Sequence, residues 1–447
     1  MKTAAIIGGG FSGTVTAVNV ARLAPPDIRI TLINAGYPTG QGVAYSTTRA
    51  EHLLNVPARN MSALSDEPGN FVQWLAARPE FAGDTSVGER YVQRRLFGQY
   101  MLDLLQSYPR IETIAAEATD VEPSADGFRI HLAGQSPVNA DAVVLATGNP
   151  APAGLPGLEN FVHPRYVANP WSDWLERLED KNEPIVLVGG GLTMIDAFLT
   201  LSALGWTGPI TAISRSGVWP LSHFPAFEYR DFPESDPTTL GLTALVAIME
   251  EHCRRLRERG QNPAVVVDNL RPFTQRVWQN FSLADKQQFC AEYRTRWGAV
   301  RHRIASEIHE QVQAGLASGR LRNFPGRITG LSATGERIHV GVATSSGQET
   351  VDAGWVVNCT GPQESCSRSR SPLMQSLFAR GLVQSDDLDL GLRVTPEFAV
   401  IGRDGKSARP IFAIGPLVRG TLWETTAVPE IRGQGRRVAE RVGAALT

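Results

Sequence analysis

Continuous apolar runs recur along the chain, and each breaks on glycine. Residues 4–7 (AAII) run into Gly8, and Pro184–Val188 runs into Gly189. Val143–Ala146 leads into Thr147-Gly148, and Trp355–Val357 leads through Asn358 and Cys359 into Thr360-Gly361. Short runs without polar alternation predict parallel strands covered on both faces. After the glycines at 8 and 189 the spacing turns helical, in TVTAVNVARLA and IDAFLTLSAL. It returns to strand at Ile28–Ile33 and Pro209–Arg215. Residues 111–140 and 321–354 alternate and are rich in turn residues, which predicts antiparallel strands. Residues 236–317 carry apolar positions at helical spacing with charged faces, Ser282 serving as an N-cap and Lys286 through Val312 running on as helix. A last strand is expected at Pro410–Gly415, with a helix over 431–446.

The glycines give this order a chemical meaning. Gly8-Gly9-Gly10-Phe11-Ser12-Gly13 satisfies G-x-G-x-x-G between a strand and a helix, the context that lifts the motif above an ordinary turn. Gly8 permits the tight turn, Gly10 lets backbone approach a pyrophosphate, and Gly13 lets the helix lie close to the strand. The helix start offers amides and a positive dipole end to phosphates, so Phe11 and Ser12 join the glycines as binding candidates. The second strand ends in Asn34 where an acid usually holds the ribose, and the amide is expected to make a changed contact there. Gly189-Gly190-Gly191-Leu192-Thr193-Met194 repeats the turn with Met194 at the third glycine. Gly189, Gly191, Leu192, Thr193, Ser214, Arg215, Thr360 and Gly361 are the candidates for NAD(P)H, with Arg215 where a 2′-phosphate would lie; the choice of NADH or NADPH stays open.

Two copies of strand–turn–helix, meander and strand-Thr-Gly define an α/β chain with two Rossmann-like dinucleotide-binding domains, the two-dinucleotide flavoprotein fold, carrying a helical insertion. The FAD-binding domain is expected over 1–175 and 363–447, and the NAD(P)-binding domain over 176–362 with the insertion at 236–317. Thr147 and Gly148 belong to the FAD site. The tail strand ends in Gly415-Pro416 where this fold normally has Gly-Asp. Proline has no N–H, so neighbours such as Glu424 and Thr425 are expected to take over its contact.

Composition narrows the partners. Lys+Arg is 43 against 45 Asp+Glu, a net charge of −2, so no nucleic-acid partner is expected. Only four of the basic residues are lysine, an Arg bias that devalues any single arginine as a site residue. The four cysteines never form C-x-x-C, which argues against zinc and against a redox dithiol, and no metal is expected. The first apolar run stops at three glycines, and no run approaches the ~20 residues of a membrane span. A cytoplasmic protein without membrane contact is expected.

Gly40-Gln41-Gly42-Val43-Ala44-Tyr45, His52–Ala58 (HLLNVPA) and Met61-Ser62-Ala63 carry a resemblance. So do Gly191–Asp196, Ser214–Gly217, Arg301-His302-Arg303, Gly415-Pro416-Leu417 and Trp423–Arg432. Together they resemble the FAD/NAD(P)-binding family that includes the bacterial FAD-dependent urate hydroxylase and the nitrosuccinate-forming flavin monooxygenase. The resemblance spans nearly the whole chain and specifies no substrate. It implies that Gly42, Tyr45, Leu54, Asn55, Met61 and Ser62 lie along the flavin. Independently, two glycines in the 40–45 loop permit close backbone approach to a flat ring, and Asn55 and Ser62 offer polar contacts.

The expected activity is an FAD-dependent, NAD(P)H-consuming monooxygenase acting with O2 through a C4a-hydroperoxyflavin on a small polar substrate, urate first. The alternatives are N-hydroxylation of an amino acid or amine, or a flavin reductase serving a protein partner. Phe161 to Trp171 keeps the spacing of the Baeyer–Villiger fingerprint but has His163 for its glycine and Val167 for its histidine, so ketone oxygenation is not expected. Flavin chemistry demands no protein acid or base. Tyr45, Asn55, His52, His223 and His302 are candidates for substrate or nicotinamide contact, and Arg303 and Arg393 for an anionic substrate. A structural role competes for each histidine. The insertion is expected to cover the site, or else to form a homodimer surface or serve plain packing.

Overall fold

The apolar strands assemble into two parallel five-stranded sheets in the computed structural model, which describes residues 1–407 and 409–447. The first sheet runs, edge to edge, Ile111–Ala115, Arg29–Asn34, Thr3–Ile7, Ala142–Leu145 and Ile411–Ala413. The second runs Leu321–Pro325, Ile210–Ser214, Ile185–Val188, Trp355–Asn358 and Tyr166–Val167. Position by position the two orders are the same, so the sequence echo is a structural repeat. In each, the glycine-turn strand lies at the centre and is buried on both faces, Ala4 to Ile6 and Ile185 to Leu187 being almost wholly inaccessible. That is why these strands read as unbroken apolar runs.

The fifth strand shows how the units are joined. The first takes its last strand from the end of the chain, at 411–413. The second takes Tyr166–Val167 from before its own turn, where it pairs with Val356 and Val357. The second sheet therefore draws on chain ahead of the expected boundary at residue 176.

Each alternating stretch also divides differently from expectation. Ile111–Ala115 and Leu321–Pro325 are parallel edge strands, and only the three strands after each form an antiparallel meander. In the second meander Ile338, Val340 and Val342 are buried while the residues between them are not, the period-two pattern of a one-sided strand. Alternation marks that half of the stretch and misassigns its first strand.

The helical region has a core of its own, built from Tyr229, Phe232, Leu256, Val266, Val277, Trp278 and Phe289, with Trp423 of the first unit packed in. Ser282 caps the helix Leu283–Gln288 in a reciprocal box with Asp285. The expected run to Val312 breaks twice. A π-helical turn occupies Phe289–Tyr293, and the chain leaves the helix after Arg301. Ser306–Ala317 then packs Ile308 and Val312 into the core of the second unit. The insertion thus begins before residue 236 and ends near 301.

Candidate functional site

Both glycine turns lie at the carboxyl ends of parallel strands, where open α/β sheets bind their ligands. They are built alike. Gly8 has φ +108° and donates its N–H to Ile33 O at 2.8 Å; a Cβ there would meet Ala146 O at 2.3 Å. Gly189 has φ +133° and donates to Ile213 O at 2.8 Å; a Cβ there would meet Cys359 O at 2.4 Å. So each turn presses on the strand that ends in Thr-Gly, and Thr147 and Thr360 stand exposed beside it. The helices Phe11–Leu23 and Leu192–Ala203 start here, and their first amides have no intrahelical acceptor.

The space immediately in front of Gly10 and Gly191 is open. A Cβ at Gly191 would meet nothing within 4 Å, and one at Gly10 would find only Gly42 Cα at 3.6 Å. Those glycines are free of packing demands and leave the helix ends bare. Gly13 differs, since its Cβ would lie 1.8 Å from Gly8 O. Met194, wholly buried, holds the matching place in the second turn, so that helix does not need the same close approach.

The structure brings the Gly40–Tyr45 loop onto the first turn. Gly40 donates to Gly9 O at 2.7 Å, and Gly42, at φ +59°, faces Gly10. Tyr45 packs edge-on against Phe97 at 4.6 Å, and burial pushes its phenol up to about 12, so it acts as a neutral hydroxyl. Gly415 also meets the turn, its Cβ direction blocked by Ser12 Oγ at 2.5 Å. Gly8 to Gly13, Gly42, Thr147, Gly148, Gly415 and Pro416 therefore form one neighbourhood. Leu192, Thr193, Ser214, Thr360 and Gly361 surround the second turn, and Arg215 is exposed at its strand end.

Other expected contacts are turned inward. Asn34 accepts from Gly9 N–H at 2.9 Å and donates to Tyr37 O and Thr39 Oγ1. Its amide braces the turn from inside rather than reaching out for a ribose. Leu54, Met61 and Ser62 are at most 3 % exposed. A side chain that touches a ligand must present surface when the ligand is away, so these three shape the core behind the site. Ser62 spends its hydroxyl on Glu67 O at 2.6 Å. Thr425 is wholly buried and bonds Gly415 O and Gln434, while Gln434 Oε1 accepts from Gly415 N–H. Thr425 and Gln434 together satisfy the Gly415 backbone beside Pro416, and Glu424 takes no part.

The basic candidates likewise make protein contacts. His52 bridges Thr47 Oγ1 at 2.8 Å and Thr200 Oγ1 at 2.9 Å. His223 bonds Asn55 O at 2.8 Å and packs on Tyr91. Arg303 forks onto Asp268 at 2.9 and 3.1 Å and lies over Phe224. Arg393 pairs with Asp387. Arg303, buried in its fork, is removed as a free anion hook, while the Arg393 pair is solvent-exposed.

His302 sits beside a buried charge cluster that the sequence does not announce. Arg301 lies 3.2 Å from Glu424 and 3.5 Å from Glu430, with Arg271 2.9 Å from Glu430 and Trp297 Nε1 donating to Glu424 at 2.7 Å. The side chains of Arg301 and Glu424 are 7 % and 6 % exposed. Glu424, at φ +61°, reaches this cluster from the loop that expectation had facing the flavin. The insertion thus covers the C-terminal loop of the first unit.

Burial lowers the pKa of His52, His223 and His302 below the ordinary imidazole value. A depressed histidine binds fewer protons folded than unfolded, so its share of stability is complete above about pH 6.5 and is lost as pH falls toward the folded value. The urea midpoint is expected to be lower at pH 5.5 than at 7.5, and His302→Gln should shrink that difference. An unchanged pH dependence in the variant would remove His302 from this account.

Two parallel sheets of one order, each with a glycine turn at its centre, define the fold of the two-dinucleotide flavoproteins. Comparisons agree. Residues 5–150, the first turn through Gly148, match a family model described as FAD-NAD(P)-binding. No curated protein sequence matches the chain. Among solved structures it is similar to an L-lysine 6-monooxygenase from Pseudomonas syringae, at 15% identity and TM-score 0.72 over 100% of both chains. It is similar to an ornithine hydroxylase from Pseudomonas aeruginosa, at 15% identity and TM-score 0.70 over 100% of both. An ornithine N-hydroxylase from Kutzneria sp. 744, in complex with reduced FAD, NADP+ and L-ornithine, matches at 14% identity and TM-score 0.65 over 97% of each chain. Among the described residues no helix is long and apolar enough to cross a membrane.

Proposed function

We propose that the chain is an FAD-dependent monooxygenase that takes hydride from NADPH and hydroxylates nitrogen in a small amine or amino acid. The observation that carries this reading is the end-to-end likeness to an L-lysine 6-monooxygenase and an ornithine hydroxylase. FAD belongs at the first turn and NADPH at the second, beside the exposed Arg215. Bound FAD supplies the redox chemistry, accepting hydride and activating O2. The protein's own groups bind and orient. Helix amides at Phe11–Gly13 and Leu192–Thr193 face the phosphates, the Gly40–Tyr45 loop lies along the first turn, and the insertion shields the C-terminal loop from water.

A thiol–disulfide reaction on the same fold is disfavoured. Burial raises the pKa of all four cysteines, Cys366 to about 12, and a protonated thiol is a poor nucleophile. The urate reading rests on the sequence resemblance alone.

The test is O2 uptake by purified protein with NADPH against L-ornithine, L-lysine, cadaverine and urate. An amine is expected to raise uptake about tenfold over the uncoupled rate, with a hydroxylamine product. Uptake raised only by urate, with its ultraviolet band lost, would overturn N-hydroxylation. Arg215→Ala is expected to raise the NADPH half-saturation about tenfold, the worth of one charge-assisted phosphate contact, and to leave NADH unchanged. Equal effects on both nucleotides would place Arg215 away from the 2′-phosphate.

A further inference from the structure

The two nucleotides would be held by different units, so the relative placement of the units decides whether hydride can pass. Reacting atoms must meet at about 3–3.5 Å, and an error near 1 Å costs on the order of 100-fold. Each turn is rigid within its own sheet. What remains is the join between them.

A buried ion pair lies at that join, next to the second turn's helix. Arg94 opens the helix Arg94–Gln106 of the first unit, and Asp196 lies in the helix Leu192–Ala203 of the second. Arg94 Nη1 and Nη2 reach the two oxygens of Asp196 at 2.6 and 2.9 Å, with side chains 15% and 8% exposed. The third guanidinium donor, Nε, bonds Leu53 O at 2.9 Å. The base of the contact is itself braced. Arg94 N–H donates to His52 O at 2.9 Å, and Leu54 N–H donates to Val92 O at 2.8 Å. His52 crosses the same join to Thr200, one helical turn beyond Asp196. Around the pair Leu53 and Leu54 meet Ile195, Leu199 and Ile308 with a residual cavity of only about 10 Å³.

The position of Asp196 is what gives this pair a role in chemistry. It stands one turn along the helix that begins at Gly191, so moving Asp196 moves the amides in front of the second turn. A fork-to-carboxylate pair fixes distance and direction together, which a lysine in place of Arg94 does not.

We propose that Arg94 and Asp196 are positioning residues that lock the second glycine-turn helix to the first unit and so set the geometry of hydride transfer. This rests on the function proposed above. The pair touches neither nucleotide; it acts through the helix.

The test has two arms on the full chain. In the first, anaerobic stopped-flow follows reduction of bound FAD by NADPH in Asp196→Asn and in Arg94→Lys, which keeps its charge and is the milder variant. The limiting rate is expected to fall about 10- to 100-fold while the half-saturation stays within about threefold, and the swap Arg94→Asp/Asp196→Arg should recover part of the rate. In the second, hydrogen exchange is read without any nucleotide. Segments 46–55 and 192–203 are expected to exchange faster in both variants, while the strands at 3–7 and 185–188 are unchanged. A limiting rate within twofold of wild type, or a half-saturation that rises as much as the rate falls, would overturn the proposal. Wild-type flavin that NADPH does not reduce would sink the proposed function; the exchange arm then still decides whether the pair holds the units together, and unchanged exchange would refute it.

Discussion

Gly13→Ala is expected to give a protein that no longer retains FAD. The added Cβ would lie 1.8 Å from Gly8 O and 3.0 Å from Gly8 C. Those are backbone atoms of the turn itself, so no side chain can swing away. Either the helix Phe11–Leu23 backs off or the turn opens, and both withdraw the first amides from the phosphates. Overpacking against backbone costs about 3 kcal/mol, which is roughly 100-fold in affinity. The helix has little freedom to retreat, because Val15 on its far side already touches the C-terminal helix at Gly435, whose own Cβ would lie 2.9 Å from Val15 Cγ1. The measurement is the flavin-to-protein absorbance ratio after gel filtration. A full complement of FAD in Gly13→Ala would refute the close approach.

Gly191→Ala supplies the contrast. Its φ of −96° suits any residue, and its Cβ meets nothing within 4 Å. Folding stability should change by less than about 0.5 kcal/mol, with FAD retained and nicotinamide nucleotide affinity reduced. One alanine then injures the protein and the other only its ligand, and that difference separates a packing glycine from a binding one.

The same distinction explains which parts of the molecule are legible in the sequence. A backbone that must pass within contact distance of another backbone admits only glycine, so Gly8, Gly13 and Gly189 announce themselves by residue type. Strands buried on both faces do so by continuous apolarity, and Ser282 does so by its box with Asp285. Of the two fifth strands, Ile411–Ala413 is legible as an apolar run ending at Gly415, whereas Tyr166–Val167, only two residues long, is not. Nor are the partners of polar side chains. Asn34 occupies the position of a ribose acid, yet its amide is engaged by Gly9 N–H, Tyr37 O and Thr39 Oγ1. Glu424 and Thr425 stand near Gly415 in sequence, yet only Thr425 bonds it, while Glu424 turns to Arg301 and Trp297. Arg94 and Asp196 are 102 residues apart in a chain where arginine is common, and no local pattern links them. Periodicity reports which face of an element is buried and is silent on what a buried polar atom finds there.

Glu424→Gln is expected to loosen the insertion from the first unit. The substitution keeps size and shape, and the amide oxygen can still accept from Trp297 Nε1. What it removes is the charge 3.2 Å from Arg301, whose side chain is 7 % exposed. Glu430 stands 3.5 Å away and is shared with Arg271, so it compensates in part. Breaking one side of a buried pair costs about 3–5 kcal/mol because the surviving ion is left desolvated, and the sharing places this site near 3. The loss should fall on the join, where Trp278 stacks on Trp423 at 4.8 Å and donates to Gly420 O at 2.8 Å. Tryptophan fluorescence therefore reports the event directly: in urea the insertion should separate at lower concentration than in wild type, before the sheets unfold. Neutralising both partners, in Arg301→Gln/Glu424→Gln, removes the uncompensated charge and should restore much of the midpoint. If the double variant is as weak as the sum of the two single ones, the two charges are not coupled. If Glu424→Gln matches wild type in urea, the cluster does not hold the insertion in place.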